Sequence, residues 1–118
     1  MILVDTSVWV EHVRVGDERL KAMLLEGSVL THPFVVGELA CGNLSNRAEV
    51  LRLLAALPKV PVLEHEEVMH FLTSRRLYSR GLGWVDVHLL AAVLVAGCGL
   101  WTLDKALRRA VMRLKLPT

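Results

Sequence analysis

The sequence predicts an α/β domain in three layers, with helices flanking a central, mostly parallel sheet of four to five strands. Short, continuously apolar runs such as ILV at 2–4 and LWTL at 100–103 have the pattern of strands buried on both faces. Between such runs lie segments whose apolar residues recur at helical spacing, such as Val50, Leu53, Leu54 and Leu57. Strand and helix patterns then alternate along the chain, which is the signature of parallel pairing through helical crossovers. At 118 residues the length suits one domain, 1–118, with a core large enough to need neither disulfides nor a structural metal.

The elements follow in order. Ile2 to Val4 is the first strand, which sets Asp5 at its carboxyl end, and Thr6 or Ser7 can cap a short helix through Glu11 and His12. Asp17 can cap a second helix carrying Leu20, Met23 and Leu24, closed by Gly27. Ser28 to Thr31 reads as a strand, and Pro33 suits the first turn of a helix that holds Glu38 and closes near Gly42. Asn46 can cap the next helix. VPVL at 60–63 reads as a third strand, confined to an edge because Pro61 has no ladder donor. An amphipathic helix over 66–79 ends in Arg75, Arg76 and Arg80, and Gly81 and Gly83 break it. A nearly all-apolar helix from about Asp86 to Ala96, the strand Leu100 to Leu103 and a helix capped by Asp104 complete the pattern, with LKLP as a small final strand.

Bulk properties narrow the function classes. Hydrophobic residues make up 53% and mean hydropathy is +0.45, so some apolar surface is expected to meet a partner. The longest apolar stretch, Leu89 to Trp101, is interrupted by two glycines and falls short of the roughly 20 residues that span a bilayer. With no membrane segment and no basic or cleavage-like leader, the expected location is cytoplasmic. Cys41 and Cys98 lack metal-ligand spacing and read as reduced, packed thiols.

Four acidic residues interrupt apolar or turn-like surroundings: Asp5 in ILVDTS, Glu38 in FVVGELACG, Asp86 in GWVDVHLL and Asp104 in LWTLDKAL. Taken singly, each reads equally well as a turn residue, a helix cap or a solvated helix position. Taken together, they fall on strand ends and helices that open onto one crevice of an α/β sheet. Two carboxylates about 4 Å apart repel by roughly 4 kcal/mol at an effective dielectric near 20, so such a cluster calls for a cation. All-oxygen ligands suit Mg²⁺ or Mn²⁺ rather than zinc or copper. Setting those four aside leaves 14 basic against 8 acidic residues, a body suited to holding a polyanion by its phosphates.

Other features carry less. His65 and His70 miss the H-E-x-x-H spacing by one residue, and His88, two after Asp86, falls on another helix face. Thr6, Ser7 and Thr102 are hydroxyls near the proposed ligands, fit to orient a carboxylate. Trp84, in a glycine-flanked loop, is free to stack on a base, whereas Trp9 and Trp101 read as core. Arg108 and Arg109 are candidates for phosphate contact or simply a solvated face. No Walker A, G-x-G-x-x-G or G-x-S-x-G pattern occurs, which removes nucleotide hydrolysis, dinucleotide redox chemistry and serine hydrolysis.

On MILVDTSVWV, GELACG, GLGWVDVHLLAAVLVAG and LWTLDKALRRA, in this order and spacing over nearly the whole length, the chain resembles the PIN-domain ribonucleases, and especially the VapC toxins of toxin-antitoxin modules. The resemblance implies a PIN fold, an acidic pocket holding Mg²⁺ or Mn²⁺, and endoribonuclease activity blocked by a cognate antitoxin protein. It also implies an RNA substrate, a homodimer and hydrolysis that leaves a 5′-phosphate and a 3′-hydroxyl. The family's acidic quartet falls on Asp5, Glu38, Asp86 and Asp104, and its hydroxyl on Ser7 or Thr6. A further acid found in some members has no counterpart here, because Lys105 and Ala106 follow Asp104.

Two rival readings belong to other classes. A phosphoacceptor receiver domain also has an acidic Mg²⁺ pocket, but it requires adjacent acids after the first strand, and Asp5 stands alone. A non-catalytic partner-binding domain would keep the acidic cluster for structure only.

Overall fold

Three short parallel strands organise the chain. β1 (Ile2–Val4) lies between β2 (Val29–Leu30) and β3 (Gly99–Trp101), with Leu3 in register with Leu30 on one side and Leu100 on the other. All three residues of β1 are buried, as a central strand covered on both faces requires. The computed structural model describes residues 1–118.

Seven helices surround this sheet: α1 (Thr6–Val15), α2 (Glu18–Leu25), α3 (Pro33–Cys41), α4 (Arg47–Ala56), α5 (His65–Ser74), α6 (Trp84–Ala96) and α7 (Lys105–Arg113). Helix α6 is the axle of the core. Its residues Val87 to Val93 are buried without a break, with His88 the one polar side chain among them, and Gly97 ends the helix at φ +68°. By contrast α7 buries only Leu107, Ala110 and Val111 and turns its remaining residues outward. No helix is long and apolar enough to cross a membrane.

The α/β architecture matches the expectation, but the sheet has three strands rather than four to five. Residues 60–63 form no strand. Thr31 bridges Lys59 and exchanges backbone bonds with Pro58 and Val60, after which Pro33, the first residue of α3, has no N–H to offer the Val60 carbonyl. The segment 114–117 is no strand either; Leu100 donates a single bond to the Pro117 carbonyl at 3.0 Å. That close approach needs glycine at 99, where a Cβ would stand 3.0 Å from the same oxygen.

Several boundaries also differ from expectation. Helix α1 runs to Val15, three residues past His12. Asn46 precedes α4 in a left-handed conformation and makes no cap bond. Helix α5 stops at Ser74, because Arg76 takes φ +54° and turns the chain. Helix α6 begins at Trp84, which puts Asp86 on its third residue. Cys98 is buried, but Cys41 is exposed rather than packed.

Candidate active site

The end of β1 is fastened to the end of β3 through side chains. Asp5 continues the ladder by one bond, its N–H donating to the Trp101 carbonyl at 2.9 Å, and its own carbonyl starts α1 by accepting from Val8 and Trp9. The carboxylate is buried. Its Oδ2 accepts from the Thr102 hydroxyl at 2.7 Å and from the Ser7 hydroxyl at 2.8 Å. Those two hydroxyls in turn accept backbone N–H bonds, Thr102 from Asp104 at 3.0 Å and Ser7 from Leu103 at 2.9 Å. Each hydroxyl has one proton, and both protons go to Asp5, so the 3.3 Å approach of Ser7 to Thr102 is contact without a bond.

The other three carboxylates are each held through one oxygen. Glu38, exposed on α3, accepts from the Thr6 hydroxyl at 2.7 Å across the start of α1. Asp86, half-buried, accepts from the Gly83 N–H at 2.9 Å. Asp104 caps α7 by accepting from the Leu107 N–H at 2.9 Å. Thr6 and Ser7 were expected as caps for α1. They spend their hydroxyls on Glu38 and Asp5 instead, and Asp5 takes the cap position without a side-chain cap bond.

Asp86 registers that the four share one field. Burial raises its pKa above the ordinary carboxylate value; the Gly83 N–H opposes this, and the charges of Asp5, Asp104 and Glu38 push it further up. No lysine, arginine or histidine pairs with any of the four: the chain's ion pairs are Arg14–Glu11 and Lys21–Glu18. Every carboxylate therefore keeps one oxygen that no protein donor claims: Oδ1 of Asp5, Asp86 and Asp104, and Oε2 of Glu38.

This donor set fits a hydrated divalent cation. As the side chains stand, no three carboxylate, imidazole or thiolate groups are arranged to clasp one ion. Magnesium does not require that cage, since it is commonly bound through one or two carboxylates and keeps several waters.

Behind the acidic mouth lies a group of rings that the sequence reading did not assemble. His88 packs edge-on against Phe34 at 4.8 Å and Trp84 at 4.8 Å, Phe34 meets His32 at 5.0 Å, and Trp84 meets His65 at 5.2 Å. His32 is fully buried, and its Nδ1 accepts the Phe34 N–H that opens α3. Burial, aided by the nearby His88, lowers its pKa to about 4, so the ring is neutral at physiological pH. The spacing of two from Asp86 to His88 does put the histidine on another face, as expected, and that face is the core.

The candidate RNA contacts separate. Trp84 opens α6 rather than lying in a loop, and it is 38% exposed with an edge already covered by His65 and His88. Arg108 turns back to donate to the Thr102 carbonyl at 3.2 Å, whereas Arg109 stays free on the outer face of α7. Gly83 was missed as a functional position. Its N–H holds Asp86, and the G-x-x-D spacing at a helix start was a legible signal for that bond.

The parallel α/β sheet carries a buried carboxylate at the end of its central strand, and residues 2–111 match the family model described as PIN domain. The chain belongs to the PIN-domain family. It is also 51% identical over 111 residues to proteins named Ribonuclease VapC32 from two strains of Mycobacterium tuberculosis, CDC 1551 / Oshkosh and ATCC 25618 / H37Rv. The match covers 93% of this chain and 90% of each relative.

Proposed function

We propose that this protein is a metal-dependent endoribonuclease of the VapC toxin type, hydrolysing RNA phosphodiester bonds and held inactive by a cognate antitoxin protein. The observation that carries the reading is the set of four carboxylates, each anchored through one oxygen and offering the other, with no protein cation among them. The name and 51% identity of the relatives support ribonuclease chemistry on that site.

Asp5, Glu38, Asp86 and Asp104 hold Mg²⁺ or Mn²⁺ in this reading. When bound, the ion lowers the pKa of coordinated water and neutralises charge on the phosphate. The chain's own groups do the positioning. Thr102 and Ser7 hold the Asp5 carboxylate through Oδ2 and leave Oδ1 unclaimed, and Thr6 holds Glu38 through Oε1 and leaves Oε2 unclaimed. Water attacks phosphorus in line, the bond to the 3′-oxygen breaks, and that oxygen takes a proton from solvent to leave as a hydroxyl while the 5′-phosphate stays on the other fragment. One carboxylate takes the proton of the attacking water.

A cleft of about 250 Å³ beside Glu38, lined by Val10, Val13, Leu39 and Leu44, supports an antitoxin segment lying next to the site. Exposed Val10, Leu94 and Val95 support further apolar contact, which a homodimer would use. The compartment that fits such an antitoxin-governed ribonuclease is the cytoplasm.

The test is cleavage mapping of total RNA with purified protein, freed of any antitoxin, in Mg²⁺ or Mn²⁺. Cuts that leave 5′-phosphates, disappear with EDTA and disappear in Asp5→Asn while folding survives are expected. Folded protein that makes no EDTA-sensitive cut would overturn the reading.

A further inference from the structure

We infer that Arg80, Arg109 and Arg113 form a phosphate pocket that grips the RNA backbone next to the bond being cut; the inference rests on the nuclease reading above. The three guanidinium side chains surround a hollow of about 390 Å³ completed by Ala106, Ala110 and Met112, with no acid in its lining. None of the three takes part in an ion pair.

The pocket is built by small residues. Ala106 and Ala110 are one helical turn apart on α7 and leave room between the longer arginines. The loop after α5 lies against this floor, since a Cβ at Gly81 would stand 3.5 Å from that of Ala106. Arg80 is steadied by its Nε, which donates to the Arg76 carbonyl at 2.7 Å and leaves the terminal nitrogens free. Arg109 and Arg113 are themselves one turn apart, so α7 places like charges side by side, an arrangement that favours a multivalent anion between them.

Position assigns the anion. Asp104 caps the helix that carries Arg109 and Arg113, and Gly83, which holds Asp86, ends the loop that carries Arg80. Both elements thus run from the pocket directly into the acidic mouth, and at 1.5 Å per residue Arg109 lies only about 7.5 Å along the helix from Asp104. Charge follows the same division: residues 75–118 contain eight lysines and arginines, and their only acids are Asp86 and Asp104. In this proposal, neighbouring phosphates of a polyanion held at the carboxylates rest against these arginines.

The experiment measures binding of a short single-stranded RNA by nuclease-dead Asp5→Asn protein across a salt series. Adding Arg80→Ala, Arg109→Ala and Arg113→Ala together is expected to make the slope of log affinity against log salt shallower by about 2, from three phosphates at roughly 0.7 each. Lysine at the same three positions should restore most of the slope. Folding is checked by helical circular dichroism, with the single variants as substitutes if the triple one misfolds. An unchanged slope, or an equal loss from Arg47→Ala, Arg52→Ala and Lys59→Ala elsewhere on the chain, overturns the proposal. So does an unchanged slope with loss of an acidic protein partner, which would give the pocket to protein rather than RNA. Wild-type protein unable to cut RNA would defeat the nuclease reading but leave these slopes measurable, so the two failures are distinct.

Discussion

The acidic mouth and the arginine face of α7 treat unpaired charge in opposite ways. At the mouth, each of four carboxylates is restrained by a hydroxyl or a backbone N–H, and Asp5 is buried with two such donors on one oxygen. On α7, Arg109 and Arg113 stand in solvent with no partner of opposite sign. The mouth has fixed geometry and a cost of charge burial; the arginine face has loose geometry and little cost. A cation that organises chemistry requires the first, while a flexible strand that only has to be held is served by the second.

Substitutions can break or sharpen that contrast. The largest effect is expected from Asp5→Asn, which keeps the hydroxyl bonds but removes the charge; RNA cleavage should fall by more than about 100-fold. Thr102→Val removes one of the two hydroxyls on Asp5 and frees the carboxylate to turn. A loss of about 10- to 100-fold in kcat/KM, partly recovered in Thr102→Ser, is the expected reading. If Thr102→Val cleaves as wild type does, the restraint on Asp5 is not part of catalysis.

A smaller effect concerns stability. The folded pKa of Asp86 is raised, so the folded state binds that proton more tightly than the unfolded chain does. The resulting stabilisation is present in full below the ordinary carboxylate value and is lost as pH rises through the raised one. At neutral pH without metal, therefore, Asp86 carries a penalty. Asp86→Asn in EDTA should melt higher by roughly 3 °C at about pH 7, and the gain should vanish in acid where the carboxylate is protonated anyway. A variant that melts lower at neutral pH would show that the negative charge is already compensated within the protein. Smallest of all, Arg109→Ala should move the unfolding free energy by less than about 0.5 kcal/mol, because the side chain supports nothing in the fold. Chemical denaturation of the metal-free protein checks it.

The apolar runs of β1 and β3 and the nearly all-apolar pattern of α6 were legible in the sequence because deep burial leaves few polar residues to mislead, in α6 only Asp86 and His88. The strand ends then located Asp5 and Asp104. The run at 60–63 misled because hydrophobicity alone does not form a ladder, and Pro33, which has no N–H for the Val60 carbonyl, ends the pairing after one bridge. Thr6 and Ser7 were legible as hydroxyls beside the site but not in their assignments. Local rules offer them helix N–H groups, whereas Thr6 donates to Glu38 and Ser7 accepts from Leu103, both from distant segments. Arg108 and Arg109 are neighbours in sequence and nothing in composition separates them; the helix turn sends one to the Thr102 carbonyl and the other outward.

The bond from Thr102 to Asp5 joins positions 97 residues apart. Ser7 supplies one donor to the Asp5 carboxylate locally, but the second is missing until β3 has docked beside β1. Contacts so distant along the chain form late. Full restraint of Asp5 is thus a property of the assembled sheet alone, and any opening that parts β3 from β1 loosens this carboxylate while β1 and α1 stay intact.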